Sequence, residues 1–315
     1  MTQLLLLKET IKTFIGRYEV YLKPLGKFLL ALIAIMMVNT TTGYMTKVDS
    51  FSIVLVVALM CSFMPMNFII VCAAGFILLH FYALSMECAL VVLVLFVVLA
   101  LLYFRFSPKD TLIVLLMPML FVLKIPYVMP ICAGLLLSPA SAVSVACGSV
   151  VYHVIHYITE NATALGALEA EDMSGRFRYV VDGLLDNKEM VIMTAAFVIT
   201  VLVVYTIRRL SIDHSWTIAI VLGAVVQLVV LLLGNLVMDV SISALGIVIG
   251  SLVAVAIGKL VEFLAFNVDY TRTENVQFED DEYYYYVKAV PKINVSKPSK
   301  TVKKINTQKK KKKVR

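Results

Sequence analysis

The chain has 315 residues, 61% of them apolar and 16% charged, with a mean hydropathy of +0.91. Soluble domains carry roughly 45–50% apolar and about 25% charged residues, so an ordinary globular enzyme is excluded and the surplus apolar surface must face lipid. The net charge of +7 is local: 12 basic and no acidic side chains lie between Val287 and Arg315, which leaves 16 basic against 21 acidic in residues 1–286.

Residues 1–24 place Leu4, Leu7, Ile11, Phe14, Ile15, Tyr18 and Leu22 on one helical face and Lys8, Glu9, Lys12, Gly16 and Arg17 on the other, with Pro24 ending the pattern. This predicts an amphipathic helix in the membrane interface, or one packed on the bundle, rather than a cleavable signal with its small-residue site.

Apolar stretches follow at 25–45, 51–64, 66–84, 87–104, 111–123, 125–137, 139–158, 190–207, 216–234 and 242–264. Most can span the hydrocarbon, which takes about 20 helical residues. The segments 51–64, 111–123 and 125–137 are too short to do so unaided, the first two reaching only about 20 Å at ~1.5 Å per residue. The predicted fold is therefore an all-α polytopic membrane bundle of eight to ten spans, including short or re-entrant segments. Its predicted parts are an interfacial helix (1–24), the bundle (25–266), an acidic, tyrosine-rich segment (267–290) and a polybasic tail (291–315).

Charge bias sets the orientation. With the basic N-terminal region in the cytoplasm, an even number of crossings puts Arg105, Lys109, Arg208, Arg209 and the tail inside. The 160–189 region, with seven acidic and three basic residues, then falls outside. Fusing either 51–84 or 111–137 into one helix reverses part of this pattern. Each pair is accordingly two short crossings or a re-entrant hairpin, in a multi-pass protein of the plasma membrane.

Two breaks resemble each other. Pro65 and Asn67 interrupt one apolar run, Lys124 and Pro126 another, and each break precedes a Cys-Ala-Gly-rich stretch. Proline frees backbone carbonyls that lipid cannot satisfy, and paired interrupted segments point to a transport site. Pro65, Asn67, Lys124, Pro126 and the mid-span Gln227 are the candidate substrate-binding residues, in a wet cavity where the broken ends converge. The bland alternatives are tight turns, a cap by Asn67 on the following helix, an interfacial Lys124, and a Gln227 bonded to a neighbouring helix.

Gly246, Gly250, Ala254 and Gly258 form a four-residue stripe suited to close helix packing, within the chain or in a homo-oligomer. Ser138 and Pro139 are expected to open the next helix as cap and first position. Lys259 and Glu262 are spaced to pair. His153, His156 and Glu160 share a helical face and make a weak metal candidate, so no metal is assigned; His80 reads as an isolated interfacial residue. The five cysteines lie in or beside apolar runs without a CxxC pair and read as packing residues. No nucleotide, hydrolase or zinc-protease motif occurs, and neither an enzyme nor a cofactor is predicted.

In the tail, Tyr283 to Val287 favours a strand that could pair with a cytoplasmic partner through 269–291, or tyrosines resting among headgroups. Residues 291–315 are expected to be disordered and drawn to the anionic inner leaflet rather than to nucleic acid. Two functions stay open: a transporter-like membrane subunit, or a scaffold or assembly factor that recruits partners through its tail.

Overall fold

The computed structural model describes residues 2–167, 173–240, 242–266 and 273–291. Among them, thirteen helices precede one two-stranded sheet. Seven helices are long and apolar enough to cross a membrane: α2 (Glu19–Thr42), α4 (Asn67–Leu84), α5 (Met86–Phe106), α8 (Ser141–Glu160), α11 (Lys188–Arg208), α12 (Ser215–Met238) and α13 (Ala244–Ala265). Between them lie three shorter apolar helices, α3 (Phe51–Phe63), α6 (Thr111–Val122) and α7 (Val128–Leu136). The expected all-α bundle is therefore what forms. Short connections make successive helices antiparallel, so the bundle has a near end, where α2 begins, and a far end, where it finishes.

The largest core joins α6, α7, α8, α11, α12 and α13. Small residues let their backbones meet. A side chain added at Gly134 or Gly223 would run into Val204, one at Gly234 into Ile192, and one at Gly148 into Met117. Helix α7 is the innermost element, with Val128, Met129, Pro130, Ile131, Ala133, Gly134 and Leu135 all buried. The Arg208 guanidinium donates to the carbonyls of Leu135 and Leu137 at the end of α7, answering acceptors that a helix terminus leaves open. Of the glycine stripe on α13, Gly250 seats the Tyr127 ring and Gly258 faces Ile220 and Ile131, with Ala254 buried between them. Gly246 is exposed and meets only its own Ser243 cap, because it lies in the first turn of α13, beyond the reach of α7.

Several elements depart from the sequence reading. The first helix, α1 (Thr2–Arg17), ends before Pro24, which sits inside α2. The break falls at Tyr18 instead, whose backbone leaves the helical region, while Pro24 near the helix start forfeits only one internal bond. Lys8 anchors α1 by donating to the Phe263 carbonyl at 3.0 Å. The 160–189 region, read as a loop, contains α9 (Ala162–Ala167) and α10 (Met173–Leu185); Val180 and Leu184, one turn apart, bury α10 beside α5 and α8. Ser138 does not cap α8. Its carbonyl instead accepts from both the amide and the hydroxyl of Ser141, the helix's first residue. His80 is fully buried rather than interfacial: its Nδ1 accepts from the Met45 amide (3.1 Å) and its Nε2 bonds Asn39 Oδ1 (3.0 Å), tying the α2–α3 connection down.

The expected strand forms as β2 (Tyr284–Ala289), paired antiparallel with β1 (Glu274–Glu279). The turn is built on Asp280, whose Oδ1 accepts from the amides of Glu282 (2.9 Å) and Tyr283 (2.7 Å) and whose Oδ2 accepts from the Tyr285 hydroxyl (2.8 Å). These bonds hold the Asp280 carboxyl below its usual range, the Glu282 amide contributing most. Their stabilisation is therefore present above the ordinary aspartate pKa of about 3.9 and lost as pH falls through the lowered folded value. Amide exchange at Glu282 and Tyr283 is expected to accelerate over that acid range and, in Asp280→Ala, to be fast at neutral pH. Protection that persists in the variant would show that the strand pairing alone holds the turn. Residues 292–315, read as a polybasic disordered tail, lie outside the described residues.

Candidate functional site

The two proline breaks do not converge. Asn67 opens α4 at the near end and bonds the first residue of α6: its Oδ1 accepts from Thr111 and from the Tyr103 hydroxyl (3.0 Å), and its Nδ2 donates to the Pro108 carbonyl (3.3 Å). Pro126 follows the opposite end of α6, about 18 Å away for a 12-residue helix. Asn67 consequently serves as a cross-helix tie, not the predicted cap: Met66 flanks α4 and no side chain caps it. Beside this tie, burial pushes the Asp110 carboxyl up.

Both breaks find hydrogen bonds for part of their backbone. Lys27 donates to the Met64 carbonyl (2.9 Å), and the Pro65 carbonyl accepts from the Phe68 amide (2.9 Å). At the other break the Lys124 amide bonds the Phe121 carbonyl and the Ile125 amide reaches back to Leu120, both at 2.9 Å. This double closure, followed directly by proline, is the Schellman stop, and it places Lys124 in the left-handed region at φ 60°. Glycine is the usual residue there, so lysine accepts a strained backbone in that position.

What the breaks do produce is a gap. Helix α4 packs on α2 and α5, α6 packs on α8, and between these groups lies a chamber of about 690 Å³. Along α8 its wall runs from Cys147 to Thr159, roughly 18 Å. The wall is almost wholly apolar: Ala34, Met37 and Val38 from α2, Ile70 to Leu78 from α4, Phe96 to Phe104 from α5, and Val114 to Val122 from α6. Val71, Phe104 and Val122 belong to this wall and are exposed, so the chamber is open to the surface rather than sealed. Polar groups gather at its far rim, where Lys124, Thr41, His156 and Thr159 meet. Phe121, Tyr152 and His156 stack in sequence there, with ring centroids 4.3 and 5.5 Å apart. His156 Nε2 sits 3.1 Å from Glu160, whereas Lys124 has no ion-pair partner among the described residues. Among the described residues the rim thus carries a cation without an ion-pair partner above an apolar hold.

Of the residues named from sequence, Lys124 lies in the chamber and Asn67 touches it through Tyr103; Pro65 and Pro126 shape the ends of its helices. Gln227 is elsewhere, fully buried on α12, and its amide finds no hydrogen-bond partner among the described residues. His153 is buried: its Nδ1 bonds the Ser149 carbonyl at 2.8 Å and its ring lies edge-on to Phe121. Among the described residues no group of three His, Cys, Asp or Glu side chains could hold a metal ion. Lys259 and Glu262 pair at 2.7 Å, and Thr217 joins both.

The sequence reading passed over Pro118 and Gly75. Pro118 lies inside α6 and cannot bond the Val114 carbonyl four residues back, and both residues line the chamber. A side chain added at Gly75 would meet nothing within 4 Å. The available signals were a proline within an apolar 12-mer and a glycine that follows two alanines. No family model, curated protein or solved structure matches the chain.

Proposed function

We propose that this membrane protein is a transporter-like subunit that takes an amphiphile, with a long apolar body and an anionic head, into the α2–α4–α5–α6–α8 chamber. The observation that carries this reading is the pairing of an open, apolar hold with a lysine at its rim that has no ion-pair partner among the described residues. Ligand sites are mostly apolar with a few polar groups that fix orientation, and a cation at the edge of a lipid-facing cleft selects acidic heads. The reading is non-enzymatic, since no nucleophile in the chamber wall is hydrogen-bonded to a base among the described residues. By the positive-inside rule the near end, with Lys23, Lys27, Arg105, Lys109, Arg208 and Arg209, lies in the cytoplasm of a plasma-membrane protein. Lys124 then lies toward the outer leaflet.

Lys124→Glu is expected to weaken binding of an anionic fatty-acyl amphiphile by about tenfold or more, the scale of one lost charge-assisted contact. Binding of a neutral glyceride with the same chain should stay within about twofold. Equilibrium binding to purified protein in neutral detergent reads both. Indifference of Lys124→Glu to headgroup charge would overturn the reading. It would leave standing the scaffold function, which is favoured by the exposed β1–β2 hairpin, one face of which presents Val276, Phe278, Tyr285 and Val287.

A further inference from the structure

A second recess lies at the near end, on the other side of the bundle from the chamber. It has a volume of about 540 Å³, and its walls include Leu136, Ser138, Tyr205, Arg208, Arg209 and Trp216, with no carboxylate among them. The two guanidinium groups flank one ring, their central carbons 5.0 and 5.5 Å from the Tyr205 centroid, and Arg209 also donates to the Tyr205 hydroxyl at 2.6 Å. Arg208 is partly buried by its bonds to α7, and its Nε has no acceptor among the described residues. Trp216 lies in the first turn of α12, which points its positive dipole end at the same place. The nearest acid in sequence, Asp213, is taken by Lys288 at 2.8 Å, so among the described residues nothing in the wall neutralises the arginines.

We infer that this recess binds the phosphate headgroup of an anionic bilayer lipid, held between Arg208 and Arg209 with its acyl chains lying along α7 and α11. The chemistry is that of a forked guanidinium on a phosphate, in a basic pocket between helices at the membrane surface. The recess is formed by α7, α11 and α12 and shares no wall residue with the chamber, so the assignment stands whether or not the chamber carries an amphiphile.

Trp216 is the only tryptophan of the chain, so its emission reads this recess directly. The full-length protein would be placed in phosphatidylcholine nanodiscs holding either brominated-chain phosphatidic acid or brominated phosphatidylcholine. Quenching by the acidic lipid is expected to saturate at a lower mole fraction, and Arg209→Gln, an exposed position, should raise that fraction roughly tenfold. Arg209→Lys should fall between, keeping the charge but losing the fork. Equal quenching by the two lipids, or an unshifted Arg209→Gln titration, would overturn the inference. Inorganic phosphate that perturbs Trp216 in lipid-free micelles and competes away the acidic lipid would overturn the lipid assignment in favour of a soluble anion.

Discussion

Gly148→Leu is expected to prevent α6 from seating on α8. A Cβ at Gly148 would stand 2.6 Å from Met117 Cβ and 3.2 Å from the Val114 carbonyl, and neither can swing away. Met117 is fully buried in the main core, and Val114 presents backbone. Overpacking of a tight core ordinarily costs about 1–3 kcal/mol. Here the obstacle is a neighbouring helix at backbone distance, so a loss at or above about 3 kcal/mol is expected, reaching the range where single substitutions abolish folding. Thermal unfolding in detergent, with Gly148→Ala as the graded intermediate, measures it. Melting temperatures equal to the native value in both variants would show that the α6–α8 contact contributes nothing to stability.

Gly75→Phe should have the opposite profile, with normal folding and an empty-handed protein. A Cβ here meets nothing within 4 Å and the position lines the chamber, so a phenyl group is expected to enter it. Because the ring occupies the volume an apolar body would fill, both anionic and neutral amphiphiles should lose binding, by at least about tenfold, while the melting temperature stays close to native. This differs from Lys124→Glu, which discriminates by headgroup. A Gly75→Phe protein that binds amphiphile at native affinity would place the ligand outside the chamber.

Much of the bundle was legible because the bilayer imposes strong rules. Length and apolarity marked the seven long helices, and the parity argument kept 51–84 and 111–137 divided, as α3–α4 and α6–α7 are. The site was legible only in fragments. Proline at the two breaks suggested exposed carbonyls deep in the membrane, but Lys27, fixed 37 residues away on α2, and the local Schellman closure at Lys124 answer the Met64, Phe121 and Leu120 carbonyls beside them. Neither solution leaves a trace in hydropathy. Lys124 was found because a charge among apolar segments demands an account. Its neighbours Phe121 and Tyr152 went unnoticed, and His156 was read only as a weak metal candidate, since a stacked array between α6 and α8 depends on a packing register that sequence periodicity does not set. Gln227, read as a substrate-binding candidate or a cross-helix bond, lies outside the chamber and finds no hydrogen-bond partner among the described residues.

The brevity of α3 and α6 bears on the surrounding bilayer. At 13 and 12 residues they stand about 20 Å tall, against a hydrocarbon layer of about 30 Å. Phe51, Val56, Leu59 and Phe63 on α3 nevertheless turn outward, so acyl chains must contact it directly. Where α3 spans the bilayer, lipids along that flank are expected to compress, bringing both leaflets' headgroups closer together than elsewhere on the perimeter. Such hydrophobic mismatch carries a modest elastic cost per ångström and sorts proteins among membranes by thickness. This protein should partition toward the thinner, more deformable lamellae of its cell.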